Sequence, residues 1–288
     1  MTLQSFAATT RPDQGPPRLA ALRAELAARG LAGFLVPRAD AHQGEYVAPR
    51  DDRLAWLTGF TGSAGFCIVL PDVAGVFTDG RYRLQVRAQV AGDFTPVDWP
   101  ETKPGPWLRA HLAEGVVGFD PWLHTGDEIA RIREDLAGHP VTLAPVANAV
   151  DAIWPDQPPP PAGPAVPHPV ELAGTPSGEK RARLAEALRS AGHRAAVITL
   201  PDSLSWLLNI RGADVPRNPV VQGFAVLHDD GRVAVFADPA KFAPETRAHL
   251  GDGVTIAPPA AFLPALAALA GPVRVDRGTA PVAVAAAL

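Results

Sequence analysis

The densest run of residue types able to do chemistry is Ala39–Gly65, ADAHQGEYVAPRDDRLAWLTGFTGSAG. Within it His42 and Glu45 stand three apart and could act as metal ligands or as an acid–base pair. No second histidine or carboxylate cluster with ligand spacing stands beside them. The simpler reading is a loop in which both side chains bond the backbone, and no metal ligand is assigned. GFTGSAG looks like a phosphate loop but lacks the Lys and the GxGxxG spacing, so its glycines are read as allowing tight turns. In TDGRY, Thr78–Tyr82, Asp79–Gly80 marks a turn after an apolar strand, and Arg81 opens a helix-like run. A guanidinium is a planar fork of donors suited to a carboxylate or peptide carbonyl. The competing reading is a surface arginine paired with Asp79 or Asp72.

A second polar loop, NIRGADVPRNPV, holds Arg211, Asp214, Arg217 and Asn218. Arg211 and Asp214 are expected to form an ion pair, with a partner domain as the alternative contact. Asn218–Pro219 restricts the backbone to extended or turn geometry and admits a cis bond. Cys67 lies in the apolar strand FCIVL, where a thiolate is disfavoured. Gly-x-Ser-x-Gly is absent, and the eight histidines form no HExxH. No self-sufficient catalytic site emerges, and no cofactor is assigned to these residues.

The elements that must position these side chains come in two sets. RLAALRAELAAR, Arg18–Arg29, carries Leu19, Leu22 and Leu26 on one helical stripe, stops at Gly30 and leads into the strand LAGFLV. EKRARLAEALRSA, Glu179–Ala191, repeats the design with Leu184 and Leu188, Gly192 and AAVITL. LAWLTGFTG at Leu54–Gly62 aligns without gaps on LSWLLNIRG at Leu204–Gly212, pairing Trp56 with Trp206. GFCIVLPDVAGVFTDGRY and GFAVLHDDGRVAVFADPAKF each read as a β-hairpin. Further helices are expected at Pro106–Glu114, Thr125–Ala137 (capped by Thr125), Pro244–Leu250 and Ala260–Ala270, and strands at Val116–Asp120, Val141–Pro145, Val254–Ala257 and Val273–Asp276. Four matching segments in one order indicate a duplication: two copies of one α/β domain, each a mixed β-sheet flanked by helices. Between them Pro155–Pro169 has eight prolines in fifteen residues and reads as a semi-rigid spacer. The expected division is a disordered 1–17, a first domain over 18–154, the linker 155–169 and a second domain over 170–288, which breaks off as a new helix begins.

Composition narrows the function. The 288 residues include 47% apolar and 19% charged types, enough for a sizeable core. A formal charge of −4 leaves no electrostatic footprint for nucleic acid. One cysteine makes no internal disulfide, and neither a signal peptide nor a membrane-spanning run is read from the sequence. The expectation is a cytoplasmic protein without nucleic-acid or membrane partners.

AHQGEYVAPRDDRLAWLTGFTGSAG followed by TDGRYRLQ resembles the first domain of three-domain Xaa-Pro aminopeptidases, in the creatinase/prolidase family of metallopeptidases. VDAIWPDQPPPP resembles that family's domain boundary, and SLSWLLNIRGADVPRNPV the signature of its second domain. The likeness covers nearly all of residues 18–288. It implies two N-terminal-type domains that cover an active-site mouth, select short proline-containing peptides and aid assembly into a homo-oligomer. It also implies that the chemistry, two manganese ions activating a water, belongs to a third domain whose ligand motifs this sequence lacks. The chain alone is therefore expected to be inactive. The resemblance makes Arg81 a peptide-binding residue supported by Asp79 and Tyr82, with His42, Glu45, Arg211 and Asn218 on loops that could face the site. The reading from another class is a stand-alone module, derived from the same domains, that binds a small ligand or a protein.

Overall fold

The structure, a computed structural model, describes residues 10–288. In chain order the first set of elements is α1 (Gly15–Ala28), β1 (Gly33–Pro37), α2 (Arg53–Thr58), β2 (Gly65–Val69), β3 (Ala74–Thr78), α3 (Arg83–Gln89), β4 (Thr95–Asp98), α4 (Pro104–His111), β5 (Gly115–Phe119), α5 (Gly126–Asp135), β6 (Val141–Pro145) and α6 (Ala149–Ile153). Its sheet runs β4-β3-β2-β1-β5-β6. The hairpin β2–β3 and the pair β1–β2 are antiparallel, and the outer pairs β3–β4, β1–β5 and β5–β6 are parallel. Every residue of β1 and β3 is buried. Strands covered on both faces read as unbroken apolar runs, which is how GFLVP and AGVFT read. Leu19, Leu22 and Leu26 of α1 join Phe34, Val36, Leu54 and Cys67 in one core.

The second set comprises β7 (Val166–Pro167), α7 (Val170–Ala173), α8 (Ser177–Ser190), β8 (Ala195–Ile198), α9 (Pro201–Leu208), β9 (Ile210–Arg211), β10 (Phe224–His228), β11 (Val233–Phe236), α10 (Pro244–Leu250), β12 (Val254–Ala257), α11 (Phe262–Ala267), β13 (Val273–Arg274) and α12 (Val282–Ala287). Its main sheet runs β12-β11-β10-β8-β13, with antiparallel β10–β11 and β8–β10 and parallel β11–β12 and β8–β13. Strand for strand this repeats β4-β3-β2-β1-β5 with the same directions, so the duplication read from four short segments is present in the topology. Gly30 and Gly192 close the paired helices α1 and α8 with φ of 67° and 72°, a conformation glycine adopts without penalty.

Several details differ from the sequence expectation. Residues 1–9 of the stretch read as disordered lie outside the described residues. From Pro12, however, the chain is helical, a 3-10 turn running into α1, because prolines at the first helical positions arrive with their φ already set. The proline-rich stretch is only partly a spacer. Gly163 N–H donates to Asp214 at 3.0 Å, Ala165 is buried, and β7 pairs with β9. The Asn218–Pro219 bond is trans; among the described residues the cis bond is Trp99–Pro100.

Contacts also divide the chain less simply than a single boundary. One compact unit comprises residues up to 38 with 51–120 and 131–157; the other comprises 39–50, 121–130 and 158–288. Within the second unit Trp122 reaches Phe224 at a ring separation of 5.6 Å, Thr125 bridges to Pro281, and Arg277 pairs with Asp127. Such contacts join residues far apart in sequence and leave no local periodicity to read.

Candidate functional site

The sequence run Asp40–Tyr46 forms one wall of a cleft of about 540 Å3 whose lining residues all belong to the second unit. The start of α9, at Pro201 and Asp202, forms another, and the loop carrying Arg217 and Asn218 a third. Three of the side chains singled out from sequence, His42, Glu45 and Asn218, therefore meet on one cleft. Arg211 does not; it lines a smaller recess of about 210 Å3 with Trp206 and Pro219.

A buried carboxylate shapes the first wall. Asp40 Oδ1 accepts from the backbone N–H of His42 at 2.9 Å and of Gly44 at 3.2 Å, folding the loop around itself. Gln43, between them, takes a φ of 56°, in the left-handed region that costs a non-glycine residue energy. Asp40 Oδ2 accepts from the amide of Gln222 at 2.8 Å. The Gln222 N–H in turn donates to Asp214 Oδ2 at 2.7 Å, and Lys241 Nζ lies 2.8 Å from the same oxygen. Both partners of the Lys241–Asp214 pair are buried, at 5% and 0% side-chain exposure. A chain of charge-assisted hydrogen bonds thus runs from the core of the second unit to the cleft wall. The ion pair expected between Arg211 and Asp214 is corrected here. Asp214 pairs with Lys241, and Arg211 donates to the carbonyl of Ile210 at 2.9 Å. Asp214 lies where charge needs a buried partner, which Lys241 supplies 27 residues downstream.

His42 is 8% exposed and donates from Nδ1 to the Thr199 carbonyl at 3.0 Å. Its ring lies against Phe224 with centroids 4.4 Å apart. His42 and Gln222 line this cleft and also a second one, of about 310 Å3, beside Pro160, Phe236 and Lys241. Gln222 and Lys241 escaped the sequence reading because each stands alone in an apolar stretch. Copy two carries Asp238-Pro239-Ala240-Lys241 after its hairpin, where copy one has Asp79-Gly80-Arg81, and nothing local marks the lysine as buried.

In the first unit, TDGRY forms a compact clamp at the end of β3. Asp79 accepts from the backbone N–H of Arg81 at 2.9 Å and from its guanidinium at 2.7 Å. The charge-assisted bond to Arg81 holds the Asp79 carboxyl below its ordinary value. Arg81 remains 61% exposed at its side chain, with its guanidinium 5.1 Å from the Tyr82 ring centre. Tyr82 is fixed at both ends, edge-on to Phe60 at 5.6 Å and with its hydroxyl 2.8 Å from Ser63 Oγ. That bond to Ser63 draws the phenol below its usual range. The pairing with Asp79 matches the surface-arginine alternative, and the exposure leaves the fork accessible from solvent; the two readings are compatible in this geometry.

Burial in β2 raises the Cys67 thiol well above its ordinary value, which removes it as a nucleophile. Among the described residues no group of three or more His, Cys, Asp or Glu side chains is placed to hold a metal ion. Nor, among them, is any helix long and apolar enough to cross a membrane.

Comparison with known proteins assigns these features a family context. The model of the creatinase/prolidase N-terminal domain matches residues 18–153, and a second model of that description matches residues 156–288. A probable Xaa-Pro aminopeptidase P of Coccidioides posadasii is 36% identical over 259 residues, which is 88% of this chain and 40% of its own length. Aminopeptidase P2 of Arabidopsis thaliana is 34% identical over 84% of this chain and 35% of its own length. The crystal structure of an X-prolyl aminopeptidase from Caenorhabditis elegans, described as a cytosolic enzyme with a di-nuclear active site, superposes with a TM-score of 0.86 at 30% identity. It covers 93% of this chain and 48% of that one. The chain thus spans less than half the length of each of these three relatives.

Proposed function

Because the chain belongs to the creatinase/prolidase family and carries two of its N-terminal domains in tandem, we propose that it is the substrate-selecting and assembly region of an Xaa-Pro aminopeptidase. In this reading it acts in the cytosol, within a homo-oligomer, on short peptides with proline in second position. The observation that carries it is a likeness spread over both domains rather than one, with 93% of the chain superposed on a peptidase of that type. A dinuclear centre needs several carboxylate and histidine ligands together, and the described residues offer no such set. In this reading the metal chemistry, with manganese, belongs to the part of the relatives' length that this chain does not span, and no residue here is given a catalytic step.

Arg81 takes the binding role. Asp79 neutralises one edge of its guanidinium, Tyr82 and Ser63 fix the turn beneath it, and the exposed side chain offers charge-assisted hydrogen bonds to a peptide carbonyl or terminal carboxylate. It positions the far end of the substrate and takes no part in bond cleavage.

Two experiments test the proposal. The chain alone, given Mn2+ and an Xaa-Pro-Pro peptide, is expected to release no amino acid; metal-dependent turnover would overturn the assignment of catalysis to another domain. In an enzyme that joins these domains to a metallopeptidase domain, Arg81→Ala is expected to lower kcat/KM about tenfold, with a larger loss for longer peptides. Kinetics indistinguishable from the parent at every peptide length would return Arg81 to a surface role.

A further inference from the structure

The two sheets differ at one end. The first carries a sixth strand, β6, parallel to β5, whereas the second stops at β13, the counterpart of β5. Up to that point the copies match residue for residue. Val273 pairs with Ala195 as Val117 pairs with Gly33, and α12 begins as many residues after Val273 as α5 begins after Val117. Burial registers the difference. Val117 and Phe119 of β5 have no exposed surface, whereas Val273 and Val275 are only half-buried. An open edge of this kind, with unpaired backbone groups and apolar side chains beside it, is a template for one more strand.

A second surface leads to the same segment. In copy one the Arg18 guanidinium lies 4.4 Å over the Trp56 ring and donates to the Trp56 carbonyl, and Trp154, just after α6, stacks on that ring at 4.9 Å. Copy two repeats the cation: Lys180 Nζ lies 4.4 Å over the Trp206 ring and donates to the Trp206 carbonyl at 2.8 Å. It does not repeat the stacked ring. Among the described residues no aromatic side chain lies on Trp206, which is 45% exposed. Leu184 of α8 is half-buried where Leu22 of α1 is fully buried, in the core that α6 joins through Ala149 and Val150. In copy one the strand and the stacking ring belong to one continuous stretch, Val141–Trp154, VTLAPVANAVDAIW. One strand–helix unit therefore closes both surfaces there, and in copy two no described residue takes its place.

We propose that the β13 edge and the Trp206 face form one docking seat for a segment of the β6–α6 kind. Its strand lies parallel to β13 with apolar side chains at alternate positions, as Val141 and Leu143 stand in β6, and its short helix ends in an aromatic ring that stacks on Trp206. The occupant comes from the part of the relatives' length that this chain does not span. A second copy of the chain does not fill the seat, because its own segment of this kind is already held by β5 and Trp56. Ser203 stands where copy one has Arg53, the partner of Asp151, so the occupant has no need of a carboxylate at that point. The proposal rests on the duplication in the topology and not on the peptidase reading.

The test extends the whole chain after Leu288, the counterpart of Ile132, by a second copy of Arg133–Trp154 with Asp151→Asn in the added copy. Such a tether supplies the probe at an effective concentration in the millimolar range. Hydrogen exchange read by mass spectrometry is expected to slow at least about tenfold at Val273–Val275 relative to the 288-residue chain. Trp154→Ala in the added copy, which changes nothing in residues 1–288, is expected to reduce that protection. Trp206→Ala should do the same while β10 and β11 exchange as in the parent, showing that the unit still folds. Three results would overturn the proposal: unchanged exchange at Val273–Val275 in the extended chain, protection that both tryptophan variants leave intact, or the same protection gained by the parent chain on concentration alone, which would make a second copy the occupant.

Discussion

Replacing Lys241 with methionine removes the counter-charge of a carboxylate that has no exposed side-chain surface. Asp214 would keep two backbone donors, Gly163 N–H at 3.0 Å and Gln222 N–H at 2.7 Å. It would lose the ammonium 2.8 Å away, and the Gln222 carbonyl would lose a donor at 3.3 Å. Breaking a buried pair from one side costs about 3–5 kcal/mol, and the surviving backbone donors point to the lower end, ~3 kcal/mol. With urea slopes of about 1–3 kcal/mol/M, that loss moves the unfolding midpoint down by roughly 1–3 M. Urea titration followed by circular dichroism measures the loss, and hydrogen exchange localises it to Gln222–Phe236. The companion variant Lys241→Met with Asp214→Asn removes both charges and is expected to recover part of the loss, because the buried charge is gone while one of the two backbone donors, Gly163 N–H or Gln222 N–H, loses its acceptor oxygen. A loss below about 1 kcal/mol in the single variant, or a double variant no better than the single, would refute the argument that this pair holds the wall of the cleft.

Further outcomes follow from the first unit. Cys67 is fully buried and its thiol is raised by desolvation, so a thiol reagent in large excess near pH 8 is expected to label it only at the rate of unfolding. Labelling of the native chain as fast as free cysteine would contradict the burial. Asp52 is also raised by burial, more than the nearby Arg38 lowers it. A carboxyl whose folded pKa exceeds its unfolded one weakens the fold above that range and is neutral to it once both states are protonated. Asp52→Asn is therefore expected to raise the melting temperature at neutral pH, with a gain that vanishes as the pH falls to about 4 or below. A gain that instead grows with acid would reverse the sign of the argument.

Much of the architecture was legible because it rests on local rules. Leu19, Leu22 and Leu26 recur at helical spacing, glycines stand where each paired helix must turn into a strand, and the hairpins alternate apolar runs with aspartate turns. These signals depend on neighbours within a few residues, so the order of elements and the duplication followed from them. The TDGRY clamp was legible for the same reason, since Asp79, Arg81 and Tyr82 contact one another at separations of one to three residues.

What only the tertiary structure decided is the company each polar residue keeps. Asp214 had a plausible partner three residues away in Arg211, yet it bonds Lys241, 27 residues downstream. Gln222 joins it to Asp40, 182 residues earlier in the chain. The chain from 39 to 50 reads as part of the first copy but packs with the second unit, and only that placement brings His42 and Asn218 onto one cleft. The physical reason is that burial, not sequence distance, sets the energy of a charge or a polar atom. Which groups become buried together is fixed when distant segments close over them, and spacing along the chain carries no record of that event.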